Sequence, residues 1–243
     1  MTIIRVIDLE TTGFTAPEAK VCEIGWIDLV STTLDLAGKP AGWRIAGPHR
    51  GELVNPGIPI PPITSAVHHL IDEDVASART WEMVCADFFP PSDPVVAYAA
   101  HNIKMERQWI TDDLMGGIPW VCSYKAALRV WPDAPSHSNQ ALRYWRRPAG
   151  LSRELAAGAH RAAPDAYVTA HLLLDLLETA SLDQLIEWSS QPVLLVRCHI
   201  GKERGKLWAD IESGFLRWLL DKDFDEDVKF TARHHLELRA KAA

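Results

Sequence analysis

Cysteine is scarce in this chain, and its four copies stand far apart at Cys22, Cys85, Cys122 and Cys198. No two of them form a Cys-x-x-Cys pair, so the spacing indicates neither a zinc site nor a disulfide framework. Isolated thiols are typical of a reducing compartment, and we expect a cytoplasmic protein. The N-terminal residues also lack a basic segment followed by an apolar segment and a cleavage site, so we expect no secretory signal peptide.

Long apolar runs are missing as well. A membrane-spanning helix needs about 18 or more predominantly apolar residues, whereas the longest runs here, such as 95–100 and 193–196, have the length of a strand. We therefore expect no membrane partner. Internal repeats and low-complexity tracts are absent too. The content of 47% hydrophobic and 23% charged residues is typical of a globular protein with a sizeable core.

Positive charge is in deficit, because 25 Lys and Arg against 32 Asp and Glu give a formal net charge of −7. This argues against a protein that coats nucleic acid through a uniform basic surface. It does not exclude a metal-dependent nuclease, since such an enzyme gathers carboxylates at its site and the bound cations reverse the local sign. The functional question therefore depends on how the acidic residues are arranged.

The order of predicted elements indicates an α/β protein. Strands come first and then alternate with helices, which predicts one domain with a mixed sheet flanked by helices over residues 1–180. After a Gln-Pro pair the pattern starts again, and residues 181–243 are predicted to form a small, mainly helical module. The predicted strands cover residues 3–7, 21–29, 43–45, 94–100, 120–122 and 193–200, and the predicted helices cover residues 65–71, 81–89, 104–114, 124–131, 164–179, 213–220 and 225–239.

Two carboxylates, Asp8 and Glu10, come at the end of the first predicted strand. Side chains two residues apart on a strand point to the same face, so these anions project together just before a Thr-Thr-Gly turn. Neighbouring anions repel each other, which suggests a cation between them. For an isolated Asp-x-Glu pair, the alternative of two solvated charges at a strand end stays open.

Two later segments add two acids and a histidine. In the first, His101 and Asn102 end a predicted strand and Glu106 follows; in the second, the loop residue His160 precedes Asp165 in a first helical turn. Singly, a loop histidine is usually a surface residue, and an acid in a first turn usually interacts with the helix dipole. Together with the first pair they give four carboxylates and one histidine at element ends, where a site at a sheet edge would form.

In this order, the three segments resemble the motifs of the DEDD exonucleases of the histidine subtype. The first motif is residues 8–13 (Asp-Leu-Glu-Thr-Thr-Gly), the second is His-Asn at 101–102 with its acid at Glu106, and the third is His-x4-Asp at 160–165. The resemblance covers residues 1 to about 180, and residues 201–228 look like the C-terminal module of the exodeoxyribonuclease X group. It implies a ribonuclease H-like fold and a 3′-to-5′ exonuclease that uses two divalent cations, Mg²⁺ or Mn²⁺.

The resemblance also implies a role for each catalytic residue. Asp8 would bridge both cations, Glu10 and Asp165 would bind the first, and Asp165 and Glu106 would hold the rest of the cage directly or through water. His160 would accept the proton of the attacking water. Oxygen ligands suit Mg²⁺ and Mn²⁺. The family normally has Asp where this chain has Glu106. Three consequences stay open: the site tolerates the longer side chain, its metal preference shifts, or its activity is weakened.

Substrate contacts are expected around the same motifs. By the family pattern, Phe14 would stack on the terminal base, and its packing in the core is the alternative. The backbone amides of the Thr-Thr turn would hold the 3′-hydroxyl, and Asn102 is either a polar partner at the sheet end or a strand cap. The full predicted substrate-binding set is Thr11, Thr12, Gly13, Phe14, His101 and Asn102.

The leading interpretation is an exonuclease that acts on free 3′ ends of DNA, with the DNA preference resting on the C-terminal resemblance. Two alternatives stay open: an exoribonuclease that trims RNA, and a nucleic-acid-binding module with an impaired metal site. A homodimer also stays open. The basic-aromatic cluster at 143–147 (Arg-Tyr-Trp-Arg-Arg) would either track phosphates or form a solvated helix face.

Overall fold

A computed structural model describes the chain at residues 2–34 and 36–242. The strands in these ranges are β1 (Ile3–Thr11), β2 (Val21–Leu34), β3 (Pro40–Asn55), β4 (Arg79–Thr80), β5 (Val95–Ala100) and β6 (Trp120–Cys122). They form one sheet in the order β4-β3-β2-β1-β5-β6. β1, β2 and β3 pair antiparallel, whereas β5 pairs parallel with both β1 and β6, and β4 pairs parallel with β3. The predicted mixed sheet is therefore confirmed.

Helices pack on both faces of this sheet. In the described ranges they are α1 (Pro62–His68), α2 (Asp72–Val75), α3 (Trp81–Phe88), α4 (Ser123–Val130), α5 (Asn139–Arg146), α6 (Ala162–Leu177), α7 (Leu182–Ser190), α8 (Ser213–Leu220) and α9 (Glu226–Ala242). The sixteen-residue α6 lies against β1, β2 and β3. None of the helices in the described part of the chain has the length and apolar character needed to cross a membrane.

The alternation of β1 divides its side chains between two hydrophobic cores. Ile4 and Val6 are buried in the core that contains α6, whereas Ile7 is buried in the core that contains α3. Asp8 and Glu10 share the parity of Ile4 and Val6, so they lie on the α6 face of the sheet, beyond the aliphatic part of the strand.

The helix predicted over residues 104–114 is wrong. Residues 101–117 form successive turns around one 3-10 turn at Glu106–Gln108. Ile103, Ile110 and Met115 are buried in the α3-side core. The Asp-Asp pair before Met115 and the Gly-Gly pair after it favour turns over a continuous helix. The apolar residues of this segment are thus buried without a helix.

The strand predicted at 193–200 is also wrong. Only an isolated bridge between Arg197 and Leu207 is present there. The amide of Val193 donates to Asp227 Oδ1 at 2.7 Å, and the amide of Leu195 donates to Thr231 Oγ1 at 3.0 Å. Side chains of α9 therefore satisfy the backbone groups that a strand partner would have satisfied.

The C-terminal residues have a hydrophobic cluster of their own, which includes Trp208, Leu216 and Val228. In contrast, α7 contributes Leu185 to the core that contains α6, and it contacts β6 and α4. The predicted domain division at residue 180 stays a prediction. The packing favours a boundary after α7 rather than before it.

Candidate active site

Carboxylates from separate elements converge at the end of β1. Ligand oxygens of Asp8 and Glu10 on β1 and of Asp165 on α6 all lie within 4.8 Å of one another. Glu106 is not one of these three mutually close acids, although its charge contributes to the raised pKa of Asp8. It follows β5, and β5 runs parallel to β1, so both segments leave the sheet at the same edge. The structure thus brings three of the four predicted acids together and places Glu106 at the same edge of the sheet.

Gly25 allows α6 to come this close. It pairs directly with Asp8 across the β1–β2 ladder. A Cβ at Gly25 would lie 2.1 Å from the carbonyl carbon of Ala162 and 2.2 Å from the amide nitrogen of Ala163, both in the first turn of α6. Only glycine leaves room for that turn on β2, and the contact places Asp165 beside Asp8.

An ion pair holds the same helix end. The buried carboxylate of Glu23 on β2 accepts hydrogen bonds from Arg161 Nε at 2.9 Å, from Arg161 Nη2 at 2.7 Å and from the amide of Ala162 at 3.0 Å. Glu23 is also the direct ladder partner of Glu10. Sequence reasoning missed this pair because its members are 138 residues apart, although Arg161 adjoins the predicted His160.

Hydrogen bonds fix the carboxylate of Asp165 from two directions. Its Oδ1 accepts from Gln140 Nε2 at 2.5 Å, and its Oδ2 accepts from the amide of His160 at 2.8 Å. Arg143 Nη1 in turn donates to Gln140 Oε1 at 3.0 Å, which orients the amide group of Gln140. Sequence reasoning missed Gln140 because it considered a helix only for the basic-aromatic cluster at 143–147, whereas α5 begins at Asn139.

Burial and mutual repulsion raise the pKa of the clustered acids. Burial, followed by the charges of Asp165, Glu10 and Glu106, holds the pKa of Asp8 well above its ordinary value. Burial raises the pKa of Glu10 to about 8, with a further contribution from Asp165. Burial likewise raises the pKa of Glu106 to about 8, with the charge of Glu10 adding to it. Without a cation, the cluster therefore tends to hold protons at neutral pH.

Glu106 provides an independent indication of a cation. Its side chain is buried, and within the described ranges its Oε2 has no hydrogen-bond partner. A buried carboxylate oxygen without a partner is costly. Together with the converging oxygens of Asp8, Glu10 and Asp165, it provides the hard oxygen donors that a divalent cation prefers. The residues therefore fit a divalent metal site.

His160 is exposed beside this cluster and adopts the left-handed conformation, with φ of 62°. In this conformation its amide binds the carboxylate of Asp165. Its imidazole is near enough to lower the pKa of that acid electrostatically, although burial raises it overall. An exposed imidazole at the rim of the acidic cluster is suitably placed to exchange a proton with a water molecule there.

Phe14 is 83% exposed, so the alternative that it packs in the core is wrong. Its carbonyl accepts from Gln108 Nε2 at 3.0 Å, and the amide of Ala16 donates to Gln108 Oε1 at 3.1 Å. Gln108 belongs to the same 3-10 turn as Glu106. The segment that carries the fourth acid therefore also holds the loop that presents Phe14.

Most of the other residues predicted to contact substrate form hydrogen bonds within the protein instead. Thr11 Oγ1 donates to the carbonyl of Gly13 at 2.6 Å. The backbone amide of Thr12 donates to the carbonyl of Lys20 at 2.8 Å. It is therefore not available to bind a 3′-hydroxyl, contrary to the prediction. Thr12 Oγ1 accepts from the amide of Lys20 at 2.9 Å. Asn102 remains exposed, with φ of 73°.

Both ring nitrogens of His101 have partners in the protein. Nδ1 lies 2.9 Å from Ser123 Oγ, and Nε2 lies 2.8 Å from the carbonyl oxygen of His137. Burial lowers the pKa of His101 to about 4, which keeps the ring neutral. The arrangement is typical of a histidine that fixes the chain after β5, and it leaves no free nitrogen for a nucleotide.

Comparison with known proteins identifies relatives of this chain. No protein-family model matches it. It is 31% identical over 242 residues to exodeoxyribonuclease 10 of Escherichia coli (strain K12), across 97% of this chain and 99% of that protein. The identity and coverage are the same for exodeoxyribonuclease 10 of Escherichia coli O6:H1 (strain CFT073).

Solved structures share the fold. An exonuclease X in complex with 5′-overhanging duplex DNA has a TM-score of 0.58 and 28% identity, and the match covers 78% of this chain and 100% of that one. Escherichia coli exonuclease I in complex with a dA16 oligonucleotide has a TM-score of 0.53 and 13% identity, over 77% of this chain and 43% of that one.

The mixed sheet and the acids at its edge define an exonuclease with a ribonuclease H-like fold. The similarity to exodeoxyribonuclease 10 and to exonuclease X identifies the family within this class. The chain belongs to the DEDD family of 3′-to-5′ exonucleases, in the exodeoxyribonuclease X group. The resemblance first noted in the sequence motifs is therefore confirmed.

Proposed function

We propose that the chain hydrolyses phosphodiester bonds at the 3′ ends of DNA by a mechanism that uses two divalent cations and a histidine base. The observation that carries the proposal is the cluster of Asp8, Glu10 and Asp165 oxygens within 4.8 Å, next to the unpartnered Oε2 of Glu106. The DNA preference is supported by the relatives, which are an exodeoxyribonuclease and an exonuclease X seen with duplex DNA.

The acids would hold Mg²⁺ or Mn²⁺ through the oxygens of Asp8, Glu10, Asp165 and Glu106. When bound, the two cations activate the attacking water and stabilise the leaving 3′-oxygen. Asp8 is central to the cluster, since the charges of the other three acids all act on it. This position supports a role for Asp8 as a central ligand, which would hold the cations through its carboxylate.

The remaining steps belong to the side chains at the rim. His160 accepts the proton of the attacking water, because its ring is exposed while its backbone is tied to Asp165. Gln140 keeps Asp165 in one orientation, so the metal site needs little rearrangement to form. Phe14 stacks on the terminal base from its exposed position.

Digestion of strands labelled at one end tests the proposal. A 5′-labelled DNA strand should give a ladder that shortens with time, whereas a 3′-labelled strand should lose its label at once as mononucleotide. EDTA should abolish the reaction, and Mg²⁺ or Mn²⁺ should restore it. Asp8→Asn is the inactive control, and it should leave a folded protein that neither cation activates.

Two outcomes would overturn parts of this function. A matched RNA strand that is digested as fast as DNA, or faster, would favour an exoribonuclease. Binding of DNA without hydrolysis under either cation would favour a binding module with an impaired metal site, for which Glu106 would be the first residue to revert to Asp.

We also propose a cytoplasmic location. All four cysteines are buried and unpaired, as is usual in a reducing compartment. The helical C-terminal residues, with their separate hydrophobic cluster, support a second module that follows the exonuclease domain.

A further inference from the structure

We propose that a groove along α5 binds the DNA strand on the 5′ side of the scissile phosphate. Tyr144 stacks on a base there, and Arg147 and Arg153 each contact a phosphate. This inference rests on the proposed function, because it extends the substrate path outward from the same acidic cluster.

One face of α5 points along this path. Gln140, Arg143 and Tyr144 follow the i, i+3, i+4 spacing of a single helix face. Arg147 is the left-handed C-cap residue that follows the helix, and it lines the same cavity as Arg143 and Tyr144. Gln140 is at the inner end, where it binds Asp165. Arg147 is at the outer end, about 10 Å further along the axis. That distance corresponds to about three steps of a DNA strand at 3.4 Å each.

Two surface cavities adjoin along this face, and each has a volume of about 420 Å³. The inner cavity is lined by Gln140 and by residues 156–159, which lead directly to His160. The outer cavity is lined by Arg147. Both cavities share the side chains of Arg143, Tyr144 and Arg153, so they form one groove that starts beside the metal-site acid.

The arginines of the groove differ in what they bind. Arg143 is buried, and its Nη1 donates to the carbonyl of Ala156 at 2.6 Å as well as to Gln140. Arg147 and Arg153 are exposed, and across residues 2–34 and 36–242 neither side chain has an ion pair or a hydrogen bond. In a chain with net charge −7, two unpaired guanidinium groups beside one groove indicate an anionic ligand.

The aromatic member of the groove is Tyr144, whose side chain is 64% exposed. The guanidinium carbon of Arg143 lies 5.0 Å from its ring centroid, so the ring is supported while most of it stays accessible. An accessible ring that lines a groove together with two exposed arginines is a combination that binds single strands irrespective of sequence, through stacking and phosphate contacts together.

The test is the salt dependence of DNA binding in EDTA, where no hydrolysis occurs. The probe is a fluorescent oligothymidylate of about twelve nucleotides. Arg147→Gln and Arg153→Gln should each weaken binding and reduce the slope of log Kd against log salt by about 0.7, the value for one lost single-strand phosphate contact. Tyr144→Leu should weaken binding at least about fivefold without changing the slope, because it removes stacking but no charge.

Arg44→Gln is the matched control. Arg44 is exposed on β3 and pairs with Val30, which pairs with Ile3 at the start of β1, so it lies at the opposite end of the sheet from the acids. It should leave both affinity and slope unchanged. The proposed groove would be refuted if the double variant Arg147→Gln, Arg153→Gln left the slope unchanged. It would also be refuted if Arg44→Gln changed the slope by the same amount as the groove variants.

The binding readout separates this inference from the proposed function. If the variants change the slope but the parent protein hydrolyses no DNA, the groove stands and the proposed function fails. If the parent hydrolyses DNA but the slopes do not respond, the function stands and the groove fails. Unchanged melting temperatures of the surface variants would confirm that each effect is local.

Discussion

Gly25 lies directly opposite Asp8 in the β1–β2 ladder, and its missing side chain is the space that the first turn of α6 occupies. The distance between the β1 acids and Asp165 therefore depends on a residue that has no functional group. This relationship leads to the first prediction.

Gly25→Ala should weaken the metal site and the fold together. The new Cβ would overlap the backbone of Ala162, which cannot move aside like a flexible side chain. We expect a loss of about 1–3 kcal/mol in the free energy of unfolding, as is typical of overpacking. Urea unfolding and Mg²⁺ titration of the same sample measure both effects. Gly214→Ala is the control, since nothing lies within 4 Å of a Cβ there; its stability should change by no more than about 1 kcal/mol.

The stability of the metal-free protein should fall as pH rises from about 4.5 to about 8. The pKa of Glu10 and of Glu106 rises from 4.5 to about 8 on folding, so the native state binds more protons than the unfolded state in this window. Stability then decreases with pH. Melting in EDTA across this range, for the parent and Glu106→Gln, isolates the contribution of one acid. The variant should show a shallower decrease, and parallel curves would contradict the prediction.

Divalent cations should reverse this trend. Mg²⁺ replaces protons on the acids, so it should raise the melting temperature more at pH 8 than at pH 5. An equal increase at both pH values would indicate that the cation binds away from the acids with raised pKa.

His160→Asn should lower turnover by about 10²–10⁴-fold, the usual contribution of a general base. Asparagine tolerates the left-handed conformation, and its backbone amide can still donate to the carboxylate of Asp165, so metal affinity should be retained. His69→Asn is a matched control, because His69 is also exposed with φ of 62°. Near-normal turnover in His160→Asn would refute the assignment of the base.

Gln140→Leu should reduce metal affinity by about 10–100-fold, because partners that orient metal ligands usually contribute that much. It removes the hydrogen bond that helps to lower the pKa of Asp165, so Asp165 should hold its proton more strongly. Titration with Mn²⁺ measures the change. Asn139→Ala is the control, since Asn139 donates to the backbone carbonyl of Asp165 and not to its carboxylate. Equal losses in both variants would mean that α5 acts only as a structural support.

The sequence was sufficient to predict most strands of the sheet, because they depend on short-range patterns, and the resemblance of three motifs to one family indicated the acids. The first motif lies on one strand, and its two-residue spacing determines the face on which Asp8 and Glu10 lie. The third motif lies at the start of α6, whose apolar spacing is clear. Placement of the second motif beside the first follows from the parallel pairing of β5 with β1.

Long-range partners and irregular segments were beyond sequence reasoning. The pairing of Glu23 with Arg161 leaves no local signal. The strand predicted at 43–45 extends over Pro40–Asn55, because it pairs with β2 along most of this length. The segment around Glu106 was predicted to be a helix, but its apolar residues are buried from turns.

The contacts of Gln108 have a consequence for how this enzyme changes during evolution. Gln108 joins the loop of Phe14 to the short turn that carries Glu106. A substitution that shifts the loop of Phe14 would also shift the turn that carries Glu106, so the proposed nucleotide contact and the proposed metal ligand would move together. We expect these two properties to change together. Variants selected for activity on a different 3′ end should therefore show an altered ratio of activity with Mn²⁺ to activity with Mg²⁺, even when none of the acids has changed.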